Sequence, residues 1–167
     1  MFTDPFGLLK PPMTMIHALL RQLRQSGARI GVGIWLIPDE YLGKEAELAS
    51  SLNLHPIDAP KAYLERLPDG ARFSGLSRPE GHHKLLEMIR HLCATTHPRD
   101  CLLLHTLDLL LLGLEVEERR HFWQAVLGGI PYPTTRLVLT LPEKAGALFS
   151  TELARQYAAQ VARGRLE

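Results

Sequence analysis

The stretch IWLIPDEYLGKEAEL, from Ile34 to Leu48, decides the fold that we expect for this chain. Its apolar run ends at Pro38, a short loop follows, and Gly43-Lys44 leads into helix-forming residues. Strand, loop, Gly-Lys and helix is the layout of a phosphate-binding P-loop, whose pattern is G-x-x-x-x-G-K-[ST]. Every α/β protein has strand-to-helix turns of this kind, so a coincidental Gly-Lys dipeptide is the competing interpretation.

Two positions of the P-loop pattern carry residues that do not suit phosphate binding. Pro38 replaces the first glycine and has a fixed φ and no N–H group. Glu45 replaces the Ser or Thr whose hydroxyl would bind Mg²⁺. With Asp39 and Glu40, three carboxylates would face an anionic ligand, and each close like-charge contact costs about 1–4 kcal/mol. We therefore expect Glu45 to be an internal anion at the helix N-terminus, with Lys44 pairing with Glu45 or Asp39.

The companion motif of a P-loop site, the Walker B strand, is predicted at CLLLH, residues 101–105. Four apolar residues should end there in an acidic residue that holds Mg²⁺, but His105 occupies that position and Asp108 comes three residues later. Imidazole is a poor ligand for Mg²⁺, which prefers oxygen. Because both metal-holding positions are changed, we expect no hydrolysis and no catalytic residue. No cofactor is expected, and ATP with Mg²⁺ is disfavoured.

The remaining sequence alternates helical patterns with apolar strands. Helices are predicted over 12–27, 44–52, 59–67, 80–94, 116–127 and 151–163, and strands over 29–37, 52–57, 100–105 and 136–141. Continuous apolar strands alternating with helices indicate a mainly parallel sheet covered on both faces. We predict one α/β domain over 1–167, a three-layer RecA/AAA-like, P-loop-derived fold. Its core is 29–142, and its strands, numbered along the chain, lie in the order 1-4-3-2.

Composition and charge bound the class of protein. The chain is 46% apolar and 22% charged, ordinary globular values, and its net charge of +1 gives no general attraction to nucleic acid or acidic lipid. Two cysteines build no disulfide framework and suit a reducing compartment. Residues 1–12 lack signal-peptide features, and the longest apolar run is too short for a bilayer. We expect a soluble, cytoplasmic protein without a membrane partner.

Histidine and cysteine residues crowd the region 82–105. The spacing Cys93-x3-His97 and Cys101-x3-His105 suggests a zinc site. Residues four apart on a strand, however, are separated by about 13 Å, too far to share one ion. We therefore expect no metal, a buried and inert Cys101, and histidines on a solvated helix face. No nucleophile–base motif points to a hydrolase.

Five arginines are candidate contacts to a partner or to nucleic acid: Arg72, Arg78, Arg119, Arg120 and Arg136. In P-loop assemblies an arginine from one subunit stabilises charge in the site of the next. The competing interpretation for Arg119-Arg120 is a solvated basic turn beside two core aromatic residues.

The layout resembles the small P-loop proteins of BREX phage-defence systems, the BrxF family. The matching stretches are LIPDEYLGKEAEL, LNLHPIDAPKAYLERL, CLLLHTLDLLL and TTRLVLTLP, within 29–142. The stretch LLRQLRQSGARIGVGIWLIP is also similar to the opening helix and strand of SulA-type cell-division inhibitors, RecA-like folds without a working P-loop. Both resemblances imply a P-loop-derived fold that acts through binding.

The function expected from these observations is that of a non-catalytic pseudo-ATPase, an accessory subunit of a larger bacterial assembly in anti-phage defence. Its partners would be other protein subunits, with DNA contacted through the complex. One alternative is a weak nucleotide-binding P-loop ATPase that uses Lys44. Others are a DNA-contacting accessory protein that uses Arg72 and Arg78, and a SulA-like inhibitor of a partner.

Overall fold

The computed structural model describes residues 14–25, 30–66, 81–128, 135–145 and 147–166. Its helices are α1 (Met15–Arg24), α2 (Glu45–Ser51), α3 (Ala59–Glu65), α4 (Gly81–Ala94), α5 (Leu107–Leu111), α6 (Val116–Gly128) and α7 (Thr151–Gln156). Its strands are β1 (Val32–Ile37), β2 (His55–Asp58), β3 (Cys101–His105), β4 (Arg136–Pro142) and β5 (Val161–Arg163). None of these helices has the length and apolar character needed to cross a bilayer.

The five strands form one parallel sheet in the order β2-β3-β4-β1-β5. The predicted order 1-4-3-2 for the first four strands is therefore confirmed, and β5 is added beside β1. Val32 lies opposite Leu137 in β4, and Ile34 lies opposite Val161 in β5. In this arrangement β1 is an interior strand whose two neighbours both come later in the chain.

Both faces of the sheet are buried along β1, β3 and β4, which explains why these strands are mainly apolar. In β1, Ile34 and Leu36 belong to the core that apolar residues of α3 to α7 pack against, while Trp35 and Ile37 belong to the core formed with α1 and α2. Side chains alternate across a strand, so every second residue belongs to the opposite core. We call the two helical layers the α1/α2 layer and the α3–α7 layer. The structure is thus a three-layer α/β fold.

Gly33 lets α1 approach β1 closely. A Cβ atom at this position would lie 2.6 Å from Cδ2 of Leu19. Leu19 is buried in the α1/α2 layer beside Trp35. The glycine in the motif VGIW therefore serves helix–sheet packing.

The predicted C-terminal helix over 151–163 is wrong beyond Gln156. After α7 the chain makes a short 3-10 helix, Ala158–Gln160, and then pairs with β1 as β5. The indole Nε1 of Trp35 donates to the carbonyl of Gly164 at 2.9 Å, and Nε2 of Gln160 donates to the carbonyl of Val32 at 3.1 Å. The free hydrogen-bonding edge of β1 therefore outweighs the helix-forming tendency of this alanine-rich segment.

Smaller differences concern element boundaries. The helix predicted over 12–27 is α1, capped by Thr14, and positions 12, 13, 26 and 27 lie outside the described residues. The strand predicted over 52–57 begins at His55, because Leu52 ends α2 and Asn53 has a φ of 59°. Helix α5 was not predicted, since its run of leucines has no polar face that would mark a helix.

Candidate functional site

The carboxyl ends of β1 and β4 form a topological switch point. After β1 the chain enters the α1/α2 layer, whereas after β4 it continues to α7 in the α3–α7 layer. In open α/β sheets, ligands bind in the crevice that such a divergence opens. A cavity of about 390 Å³ lies here, and we call it the switch crevice. Its lining residues are Pro38, Asp39, Glu40, Glu143, Lys144 and Arg165.

The loop that follows β1 is closed by its own backbone hydrogen bonds. Residues Asp39–Tyr41 form a 3-10 helix, in which the N–H of Tyr41 donates to the carbonyl of Pro38 at 3.0 Å. The N–H of Leu42 donates to Asp39 at 3.1 Å, and that of Lys44 donates to Tyr41 at 3.0 Å. A phosphate-binding loop directs such N–H groups at its ligand. Three of the loop's donors are therefore already satisfied by the loop itself.

Two of the three acidic residues of the switch crevice are paired within the chain. Oδ2 of Asp39 accepts from Nζ of Lys144 at 2.6 Å, and Glu40 forms an ion pair with Arg165. The hydrogen bond to Asp39 raises the pKa of Lys144 above its usual value. Glu143 brings the carboxylates of the lining to three, against two cations. An incoming phosphate would therefore have to displace ion pairs and approach an excess of negative charge.

The two motif residues at the start of α2 differ in exposure. Lys44 is exposed, and Glu45 is buried in the first turn of α2 with only 9% of its surface accessible. Lys44 pairs with neither Asp39 nor Glu45 among the described residues, and Asp39 pairs with Lys144 instead. Gly43 has a φ of +82°, which a residue with a side chain adopts only under strain. The P-loop-like turn therefore uses its glycine for a left-handed turn.

The Walker B-like residues lie elsewhere on the carboxyl edge of the sheet. His105 ends β3, and its Nδ1 lies 2.9 Å from Oγ1 of Thr106. Thr106 has a φ of 62° and turns the chain into α5, where Asp108 occupies the first turn. Strand β4 separates β3 from β1. His105 lines a different cavity, of about 640 Å³ along β2, α3 and α4, so the structure does not bring it into the switch crevice.

The three described candidate arginines make contacts within the chain. Arg119 donates to the carbonyl of Ala147 at 3.0 Å, Arg120 to Oε2 of Glu117 at 2.6 Å, and Arg136 to the carbonyl of Leu23 at 3.2 Å. Arg136 begins β4, so it lies at the amino edge of the sheet, opposite the switch crevice. Arg72 and Arg78 lie outside the described residues. The three described candidate arginines therefore do not converge on the crevice.

The cysteines belong to the core, as predicted for Cys101. Cys101 is fully buried and Cys93 nearly so, one in each core. Burial raises the pKa of the Cys93 thiol to about 11 and that of Cys101 to about 12. Nε2 of His97 lies 2.6 Å from the carbonyl oxygen of Leu92. Among the described residues, Cys93, His97, Cys101 and His105 form no group that could share one metal ion.

Sequence reasoning missed three residues of the switch crevice. Glu143 and Lys144 directly follow β4, and the rule that sites form at carboxyl ends of parallel strands would have pointed to them. The N–H of Glu143 donates to the carbonyl of Ile37 at 2.8 Å, which holds this turn against the end of β1. Arg165 was missed because it follows β5, over which a helix was wrongly predicted.

The fold and crevice define the protein's class, a three-layer α/β domain with a parallel sheet. Two ion pairs within the chain, Asp39–Lys144 and Glu40–Arg165, lie in the switch crevice. Comparisons with protein-family models, curated proteins and solved structures found no match for this chain.

Proposed function

We propose that this chain is a non-catalytic, pseudo-ATPase subunit with a RecA/AAA-like, P-loop-derived fold, and that it acts by binding other proteins. The observation that carries the proposal is the closure of the switch crevice. Three amides of the loop donate to the loop's own carbonyls, and Asp39 and Glu40 are paired with Lys144 and Arg165. Three of the loop's backbone donors and both cations of the lining are therefore engaged within the chain.

The strand order supports the RecA/AAA-like part of the proposal. The order 1-4-3-2 was predicted on the assumption of that fold, and the first four strands have it. The chain then keeps the P-loop layout while changing the residues that hold Mg²⁺, with Glu45 and His105 at the two metal positions. This combination favours a site that no longer binds Mg²⁺ or hydrolyses nucleotide, in a chain that keeps the P-loop arrangement of strands and helices.

Exposed leucine side chains around α5 support a binding role. Leu64 on α3 and Leu109 on α5 are exposed, and these two helices pack against each other. Leu112 and Val116, just beyond α5, have 64% and 70% of their surfaces accessible. Large apolar side chains grouped on a surface are typical of protein–protein contacts. We therefore assign this surface, the α5 surface, to a protein partner.

The assembly that we propose is a bacterial anti-phage defence complex. This part rests on the resemblance of four stretches to the small P-loop proteins of BREX systems. DNA would then be contacted by the complex, because the three described candidate arginines, Arg119, Arg120 and Arg136, are engaged within the chain.

The experiment that tests the proposal is thermal unfolding with ATP, ADP or GTP at about 5 mM, each with and without Mg²⁺. Ligand that binds only the folded state adds RT ln(1 + [L]/Kd) to the free energy of unfolding, about 2.7 kcal/mol when the ligand is at 100 Kd. We expect no change in Tm with any nucleotide. A rise in Tm that Lys44→Ala abolishes and the nearby Lys61→Ala preserves would contradict the proposal.

The second candidate function is weak, metal-independent nucleotide binding. It is favoured by Lys44, which is exposed at the start of α2 and forms no ion pair with any described residue. The same thermal experiment separates the candidates, since this one requires a shift that depends on Lys44 and not on Mg²⁺. A DNA-binding accessory protein would instead show salt-dependent DNA affinity that falls with Arg72→Ala or Arg78→Ala.

A further inference from the structure

Three side chains with metal-ligating atoms converge where α4 begins beside α6. His82 is the second residue of α4, and Glu118 and His121 lie three residues apart on α6. One ligand atom of each lies within 4.8 Å of the other two. Across the ranges that the structure describes, no other group of three or more His, Cys, Asp or Glu side chains comes as close.

The packing of α4 against α6 holds two of these residues in place. Oε2 of Glu118 accepts from the backbone N–H of His82 at 3.1 Å and contacts Nδ1 of the same residue. The side chains of His82 and Glu118 are only 13% and 16% exposed. His121 lies on the same face of α6 as Glu118, because residues three apart on a helix are neighbours. Its ring centroid lies 5.4 Å from that of His82.

Two imidazole nitrogens and one carboxylate oxygen are the donors found in three-ligand zinc sites that keep an open position. Such donors suit Zn²⁺ and neighbouring transition metals, whereas Mg²⁺ and Ca²⁺ prefer oxygen. Bonds of about 2.0–2.2 Å place the ligand atoms about 3.3 Å apart. His121 is exposed, so a change of rotamer can bring its imidazole to this distance.

We propose that His82, Glu118 and His121 form a binding site for a divalent transition-metal ion of the zinc type. His82 and Glu118 form the fixed inner part of the site, and His121 closes it from the solvent side. A fourth position stays open for water or for a donor from another molecule. The site lies in the α3–α7 layer and does not depend on the function proposed for the switch crevice.

The test is calorimetric titration of the untagged, full-length chain, freed of metal by a chelator, with Zn²⁺. We expect one equivalent to bind with a Kd of about 10 μM or tighter. His121→Ala, an exposed substitution that leaves the fold intact, should weaken binding by about tenfold or more, as should His82→Ala and Glu118→Gln. The matched control is His91→Ala on the exposed side of α4, which should bind as the unchanged chain does.

Co²⁺ provides an independent readout because its visible absorption depends on coordination geometry. We expect a spectrum of four- or five-coordinate Co²⁺ that is lost with His121→Ala and retained with His91→Ala. Absence of Zn²⁺ binding would overturn the proposal. So would binding that His82→Ala and His121→Ala both leave within twofold of the unchanged chain, since the ion would then be held elsewhere. Circular dichroism of each variant verifies that the helices are intact.

Discussion

Cys93 and Cys101 lie on opposite faces of the sheet and differ in their surroundings. Cys93 ends the buried face of α4, whereas Cys101 begins β3 against the α1/α2 layer. Burial raises the pKa values of both thiols, because a charged thiolate is poorly solvated in the core. Reactivity with thiol reagents therefore reports on opening of the fold at two separate places.

We predict slow labelling of both cysteines by a thiol reagent at pH 8. A thiol with a pKa near 9 is about 10% thiolate at that pH, and one with a pKa of about 11 is about 0.1% thiolate. Cys93, which keeps slight exposure, should react before the fully buried Cys101. Labelling in guanidinium, where both thiols are free, is the reference. Labelling of Cys101 in the folded protein at the rate seen in guanidinium would contradict the prediction.

The raised pKa values also fix the sign of a pH effect on stability. Between pH 9 and about 11 the unfolded chain releases thiol protons that the folded chain retains. The unfolded state then binds fewer protons, so the free energy of unfolding falls as pH rises through this window. Below pH 9 both states keep the proton, and the thiols make no pH-dependent contribution.

The ion pairs of the switch crevice show what sequence reasoning misses for single residues. Lys44 was a predicted partner for Asp39 because the two are close in the chain. Lys144, the actual partner, is brought there by the pairing of β4 with β1. Glu45, in contrast, was correctly located at the helix N-terminus, because that position depends only on local sequence. The position of Glu45 was predictable from the local sequence, whereas the ion-pair partner of Asp39 required the register of the sheet.

At the scale of elements, the 3-10 helix Ala158–Gln160 and strand β5 depend on one buried amide. Nε2 of Gln160 donates to the carbonyls of Val32 at 3.1 Å and Leu127 at 3.4 Å. It therefore connects the last strand to β1 and to α6. Loss of a hydrogen-bond partner for buried carbonyls costs about 1–3 kcal/mol.

We predict that Gln160→Ala lowers the free energy of unfolding by about 1–3 kcal/mol, measured by urea denaturation. The matched control is Gln156→Ala, because Gln156 is exposed at the end of α7 and its loss should change stability by less than about 0.5 kcal/mol. Equal effects of the two substitutions would mean that Gln160 does not secure β5.

Helices with a clear repeat of apolar residues were predictable from sequence, and the shortest helix and strand were not. The helices over 80–94 and 116–127 appear within a residue of their predicted limits as α4 and α6. β5 has only three residues and α5 only five, too few to show a period. Their structures are imposed by the edge of β1 and by the core of the α3–α7 layer. Because Arg165 follows β5, the failure to predict this strand left one residue of the switch crevice unrecognised.

Across the whole molecule, the sheet separates two cores, and each core contains one of the two tryptophans. Trp35 packs in the α1/α2 layer and Trp123 in the α3–α7 layer. Neighbouring residues of β3 likewise face opposite cores, Leu102 the α3–α7 layer and Leu103 the α1/α2 layer. Because the same strands line both cores, neither core can lose its packing without disturbing the other.

We predict that Leu102→Ala and Leu103→Ala each lower the free energy of unfolding by about 2–5 kcal/mol. In both variants the two cores should still unfold in one common transition. The measurement is urea denaturation followed by fluorescence in Trp35→Phe and Trp123→Phe backgrounds, together with circular dichroism. Coincident midpoints indicate a single cooperative unit. A variant in which the two fluorescence probes report different midpoints would show that the layers unfold separately.

The parallel character of the sheet was predictable from the alternation of helices with apolar strands. The RecA/AAA-like interpretation also led to the order 1-4-3-2, which the structure has. The sequence could not give the fifth strand or the ion pairs that close the switch crevice. Both depend on which segment reaches the open edge and the carboxyl end of β1.

The position of β1 has a consequence for synthesis on the ribosome. Val32 pairs with Leu137 and Ile34 with Val161, so β1 has no strand neighbour until roughly a hundred more residues have been made. At about 5–20 residues per second, this most apolar strand waits about 5–20 s for its first partner. An unpaired apolar strand is prone to aggregation during that time. We therefore expect a factor that binds nascent chains to bind β1 until β4 has been synthesised.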